Sequence, residues 1–144
     1  MKNLKPILLV EDDQIDTMAV ERALKELNIT NPLVHKTNGE EATAYLKTGN
    51  TPQPCVVLLD ISMPKMDGIE LLKVIRADIA LKNIPAVFML SLKEDFKKLE
   101  NLNLNIAGYI SKPVNSDNLS KTIKTLGLDL ASDEPSKKIC GCRK

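Results

Sequence analysis

A chain of 144 residues has room for one domain with a core large enough to fold alone. A net charge of +1 with 27% charged residues provides no strong field for nucleic acid or an anionic membrane, and no apolar stretch approaches the roughly 20 residues that span a bilayer. Residues 1–6 run into an apolar segment without a signal-peptide core, so a cytoplasmic chain is expected, and three cysteines do not make a disulfide framework.

The first apolar run, Ile7-Leu8-Leu9-Val10, predicts a buried strand and ends in two acids, Glu11 and Asp12. Asp13 is placed to cap a helix on which Ile15, Met18, Ala19, Ala23, Leu24 and Leu27 recur at helical spacing. Leu33 to Thr37 reads as a short, partly exposed strand. Asn38 with Glu41 three residues on predicts a capping-box start to a helix through about Lys47. His35, with no acid in its own segment to partner it, reads as a surface histidine.

After a loop from Gly49 to Pro54, Val56-Val57-Leu58-Leu59 predicts a second buried strand, which ends at Asp60. Asp67 and Glu70 then form another capping-box pattern, ahead of Ile69, Leu72 and Ile75, and that helix should end near Asp78. Pro85 precedes Ala86-Val87-Phe88-Met89-Leu90, a strand ending at Ser91. Phe96, Leu99 and Leu102 keep a helical period, while Asn101, Asn103 and Asn105 erode its end. A weaker strand over Ile106 to Ile110 leads into Ser111-Lys112-Pro113, and Asn115 caps a last helix carrying Leu119, Ile123 and Leu126.

Five strands alternating with five helices predict a parallel sheet covered on both faces. In such sheets ligands bind beyond the carboxyl ends of the strands, where Glu11, Asp12, Asp60, Ser91 and Lys112 all fall. Two unit charges about 4 Å apart repel by roughly 4 kcal/mol at an effective dielectric near 20. A gathering of three carboxylates therefore calls for a hard cation, and magnesium favours a few carboxylates together with phosphate oxygens. Taken singly, Glu11 and Asp12 are also ordinary helix-start charges, Ser91 a strand-end hydroxyl and Lys112 a solvated lysine; their joint placement singles them out.

The segments ILLVEDD, VVLLDISMPKMDG, VFMLS and GYISKP resemble, in order and spacing, the signature of response-regulator receiver domains of two-component signalling. The resemblance spans about Leu4 to Leu126. It implies a flavodoxin-like (βα)5 fold, a doubly wound parallel five-stranded sheet in the order 2-1-3-4-5, with a receiver domain over 4–127; the residues beyond, 128–144, are polar, contain Pro135 and end in a basic cluster, and a flexible C-terminal tail is expected there. It also implies phosphorylation of Asp60, which then serves as nucleophile and phosphoacceptor. Mg2+ would be held by Glu11, Asp12, Asp60 and the main-chain carbonyl of Ser62, with Lys112 neutralising phosphoryl charge. Ser91 matches the hydroxyl that bonds the attached group, Tyr109 the aromatic switch, and Pro113 a position that is commonly cis. Leu92 departs from the small residue usual after the hydroxyl. Ser62 and Lys93 match positions that in the family tune how quickly the phosphoryl group is lost.

The implied partners are a sensor histidine kinase or phosphotransfer protein and a downstream protein target, with homodimerisation through the fourth helix, fifth strand and fifth helix, and no direct nucleic acid or membrane contact. The resemblance also implies no catalysis beyond self-catalysed phosphoryl transfer and autodephosphorylation. Two other readings are a degenerate receiver that binds partners without phosphorylation, and a haloacid-dehalogenase-type phosphatase, whose usual second acid is replaced here by Ser62. Cys140 and Cys142 are too few for a structural zinc site.

Overall fold

The computed structural model describes residues 5–48, 52–61, 67–91, 93–100, 104–127 and 130, the side chains of residues 93 and 94 excepted. Strands and helices alternate: β1 (Ile7–Val10), α1 (Gln14–Glu26), β2 (Leu33–Lys36), α2 (Gly39–Lys47), β3 (Val56–Asp60), α3 (Gly68–Ala77), β4 (Ala86–Leu90), α4 (Lys93–Glu100), β5 (Gly108–Ser111) and α5 (Ser116–Leu126). All neighbouring strands pair in parallel, in the order β2-β1-β3-β4-β5, so the expected architecture is the observed one. β1, β3 and β4 are buried along their whole length, as central strands with two covered faces must be. β2 and β5 form the edges and are half exposed.

Because side chains alternate along a strand, each central strand feeds two separate cores. Ile7, Leu9, Leu58, Val87 and Met89 pack with Val20, Ala23 and Leu24 of α1 and Leu119 and Ile123 of α5. Leu8, Val10, Leu59, Phe88 and Leu90 pack on the other side with Ala42 of α2 and Leu71, Leu72 and Ile75 of α3. The sheet is thereby clamped on both faces, and its carboxyl-end loops emerge from a rigid base.

Several local expectations shift. The apolar face of α1 is phased differently: Ile15 and Met18 are 77% and 49% exposed, and Thr17, Val20, Ala23 and Leu24 are the buried residues. β5 begins two residues later than Ile106, although the Ala107 amide already donates to the Ala86 carbonyl at 2.8 Å. Only half of the capping box of α2 forms. Asn38 accepts from the Glu41 amide, but Glu41 Oε1 accepts from the amide and hydroxyl of Thr37. The boxes at Asp67–Glu70 and Asn115–Asn118 are both reciprocal.

Gly127 ends α5 at φ +65°, the left-handed conformation that favours glycine there. Three residues on, Leu130 is 7% exposed and joins the core on the α1 and α5 side; it is the one described residue of the segment 128–144. Cys140 and Cys142 lie outside the described residues.

Candidate functional site

The parallel register brings the ends of β1, β3, β4 and β5 to one edge. Val10 pairs with Leu59, Asp60 with Met89 and Leu90 with Ser111, so Glu11, Asp60, Ser91 and Lys112 all fall at or just past strand ends. Two of them are held by backbone bonds at the base. The Glu11 amide donates to the Lys36 carbonyl at 3.0 Å, and the Lys112 amide donates to the Leu90 carbonyl at 2.7 Å. The Lys112–Pro113 peptide is cis.

Asp60 is fixed from behind by Gly68. A Cβ at that position would lie 2.5 Å from the Asp60 carbonyl oxygen and 2.9 Å from the Phe88 ring. Only a residue without a side chain lets the start of α3 sit this close to the acid's backbone.

Among the described residues, Glu11, Asp12 and Asp60 each offer a carboxylate oxygen, and these oxygens lie within 4.8 Å of one another. Glu11 and Asp60 are buried, and Asp12 is exposed at the mouth. Lys112 reaches in from the β5 side: its Nζ lies 2.9 Å from Asp16 Oδ2, 3.0 Å from Glu11 Oε1 and 3.3 Å from Asp60 Oδ1. One cation is thus set against three described acids. Burial works against the charged ammonium, but the hydrogen bond to Asp16 and the neighbouring charges of Glu11 and Asp60 outweigh it and hold Lys112 above the ordinary lysine value. Glu11 moves the opposite way to most paired carboxylates. Burial first, and then the charge of Asp60, push it up to about 7, against the pull of Lys112 and the Asp13 amide.

Glu11 Oε2 accepts from the Asp13 amide at 3.1 Å. Oε1 is fully buried, and its contact with Lys112 is ionic, without hydrogen-bond alignment. A buried carboxylate oxygen without a hydrogen-bond partner, on an acid grouped with two more carboxylates, fits a divalent cation or its bound water. Ser62, Leu92 and the side chain of Lys93 lie outside the described residues.

Three contacts were hidden in the sequence. Asp16 is one of them, in the first turn of α1, where an acid reads as a helix-dipole charge. Its spacing from Val20 and Ala23 puts it on the inward stripe, and that was the available signal. Asp95 is a second: buried in α4, it accepts from the Ser91 amide at 3.0 Å. His35 is the third. It is exposed, as expected, but its Nε2 lies 2.8 Å from the Glu11 carbonyl oxygen, so this nitrogen carries the hydrogen and tethers the acid turn to β2. Tyr109 stands 53% exposed on β5, edge-on to Phe96 of α4 with ring centroids 5.3 Å apart.

Residues 7–124 match the response regulator receiver domain. The chain belongs to that family. Over 124 residues it is 33% identical to the response regulator Rcp1 of Synechocystis sp., covering 83% of this chain and 84% of that protein. The structure of this receiver is similar to the bacteriophytochrome response regulator RtBRR, with a TM-score of 0.83 at 30% identity over 96% of this chain and 87% of the other. It is also similar to the Mn(2+)-bound form of Rcp1 (TM-score 0.68, 32% identity, 89% and 97% covered). The phosphorylated cyanobacterial phytochrome response regulator RcpA is a further match (TM-score 0.72, 31% identity, 90% and 100% covered). The receiver is a phosphorylation-dependent signalling module of two-component phosphorelays, not a classical enzyme. Among the described residues no helix is long and apolar enough to cross a membrane.

Proposed function

We propose that Asp60 is the phosphoacceptor of this receiver, working with Mg2+ held by the carboxylates of Glu11, Asp12 and Asp60 and by the Ser62 carbonyl. The observation that carries this is the position of Asp60: at the tip of a fully buried strand, in the acid cluster, with the Lys112 ammonium 3.3 Å away. An Asp60 carboxylate oxygen forms the new bond to phosphorus while the bond from phosphorus to the donor's leaving group breaks, and that group departs with the electron pair. The bound metal supplies positive charge to the phosphoryl oxygens. Lys112, 3.3 Å from Asp60, would meet negative charge on the phosphoryl group, and the clamped backbone behind Gly68 keeps the carboxylate on line.

Ser91 then donates its hydroxyl to the attached group. Its amide is tied to Asp95 of α4, and Phe96, the next residue, packs on Tyr109. Movement of Ser91 toward the phosphoryl group thus pulls on the same turn of α4 that supports the Tyr109 ring, altering the face formed by α4, β5 and α5. A downstream protein, or a second copy of the chain, reads that face. The phosphoryl donor is a sensor histidine kinase or phosphotransfer protein in the cytoplasm.

Incubation with acetyl phosphate and Mg2+, followed by intact-mass measurement, tests this reading. One phosphoryl group per chain is expected on the native protein, and none on Asp60→Asn or after chelation of the metal. Equal labelling of native protein and Asp60→Asn contradicts it. No labelling of either supports the degenerate receiver instead.

A further inference from the structure

Asp16 stands outside the group of acids suited to a metal, yet it is the closest partner of Lys112. Its Oδ2 accepts a hydrogen bond from Nζ at 2.9 Å across 96 residues of sequence, closer than Glu11 at 3.0 Å and Asp60 at 3.3 Å. The position of Asp16 is set from below, because the Asp13 side chain caps α1 by accepting from the amides of Ile15 and Asp16. Helix-dipole stabilisation explains an acid in this turn. It does not explain why the Lys112 ammonium, just past the end of β5, reaches across the site to meet it.

We propose that Asp16 is a positioning residue that competes with the phosphoryl group for Lys112 and so lowers the affinity of the site for phosphoryl anions. This rests on the reading of Asp60 as phosphoacceptor. An ammonium has three N–H donors, and here it faces three carboxylates. A phosphoryl oxygen at Asp60 must draw the ammonium toward itself. Asp16 pulls it toward α1, and its own negative charge, sharing the same cation, repels the arriving anion. With its side chain 28% exposed, Asp16 acts at moderate strength, a bias and not a block.

Beryllofluoride, an anion that mimics a phosphoryl group on a carboxylate, serves as the probe, titrated by 19F NMR at saturating Mg2+. Asp16→Asn is expected to bind it roughly three- to tenfold more tightly than the native protein, and Asp16→Glu to keep the native affinity. In a Lys112→Gln background, Asp16→Asn is expected to bring no gain, whether residual binding is weak or absent. A merely structural Asp16 would shift the thermal midpoint and leave anion affinity alone. Unchanged or weaker binding by Asp16→Asn, or an equal gain without Lys112, overturns the inference while the reading of Asp60 stands. Absence of Asp60-dependent binding to the native protein overturns both.

Discussion

Replacing Lys112 with methionine is expected to remove about 3 kcal/mol of stability from the metal-free protein at pH 8 and markedly less at pH 5.5. The lysine is the cation set against Glu11, Asp16 and Asp60, and its side chain is 11% exposed, close to Asp60 at 9% and more buried than Asp16 at 28%. Methionine keeps most of the stem and its packing, so the loss reports the charge. The pH dependence follows from Glu11. Its folded value of about 7 lies above its ordinary value of 4.5, so the folded state holds a proton that the unfolded chain has released between those two points. The stability attached to this group is complete below about pH 4.5 and is lost as pH rises through about 7. Without Lys112 the ionised carboxylates have less to offset them, and the loss at high pH deepens. Mg2+ is expected to raise the thermal midpoint of the native protein more at pH 8 than at pH 5.5, because binding at the lower pH must first displace that proton. Chemical denaturation at the two pH values measures this; the same loss at both contradicts the charge balance described for the site.

The second large effect is expected at Gly68. Alanine there puts a methyl group 2.5 Å from the Asp60 carbonyl oxygen and 2.9 Å from a fully buried phenylalanine ring. The obstacle is backbone on one side and packed core on the other, so the start of α3 must move. A cost of about 2–3 kcal/mol is expected. Labelling by acetyl phosphate should slow by on the order of a hundredfold, since a displacement of about 1 Å at a reacting group costs that much. Gly108→Ala is the control: its added Cβ meets only the Leu126 side chain at ordinary contact distance, 3.6 Å and beyond. A Gly68→Ala protein as stable and as readily labelled as Gly108→Ala would show that the close approach behind Asp60 does not hold the site.

The central strands were legible because burial on both faces leaves unbroken apolar runs, and the helix starts because Asp13, Asn38, Asp67 and Asn115 carry cap chemistry in their side chains. The edges were less so. β5 has Ile106 and Ala107 just ahead of it, apolar enough to suggest an earlier start, yet they precede the ladder. On α1 the eye follows Ile15 and Met18, both exposed, and passes over Thr17, which is buried with its hydroxyl donating to the Asp13 carbonyl. That error of phase hid Asp16. The acids at strand ends could be found because sheet topology gathers strand ends whatever the loops do. Asp16 and Asp95 could not be found that way, since an acid in a first helical turn looks the same whether it faces water or crosses to another element. His35 escaped for a related reason: its partner is a backbone carbonyl, which no side-chain pattern announces.

The most direct measurement is chemical mapping of the acyl phosphate. Protein treated with acetyl phosphate and Mg2+ is reduced with borohydride, which converts an aspartyl phosphate to homoserine, and the peptides are sequenced by mass spectrometry. Homoserine is predicted at position 60 alone, and at no position when the metal is chelated. Homoserine at another aspartate, or at position 60 irrespective of metal, would contradict the account.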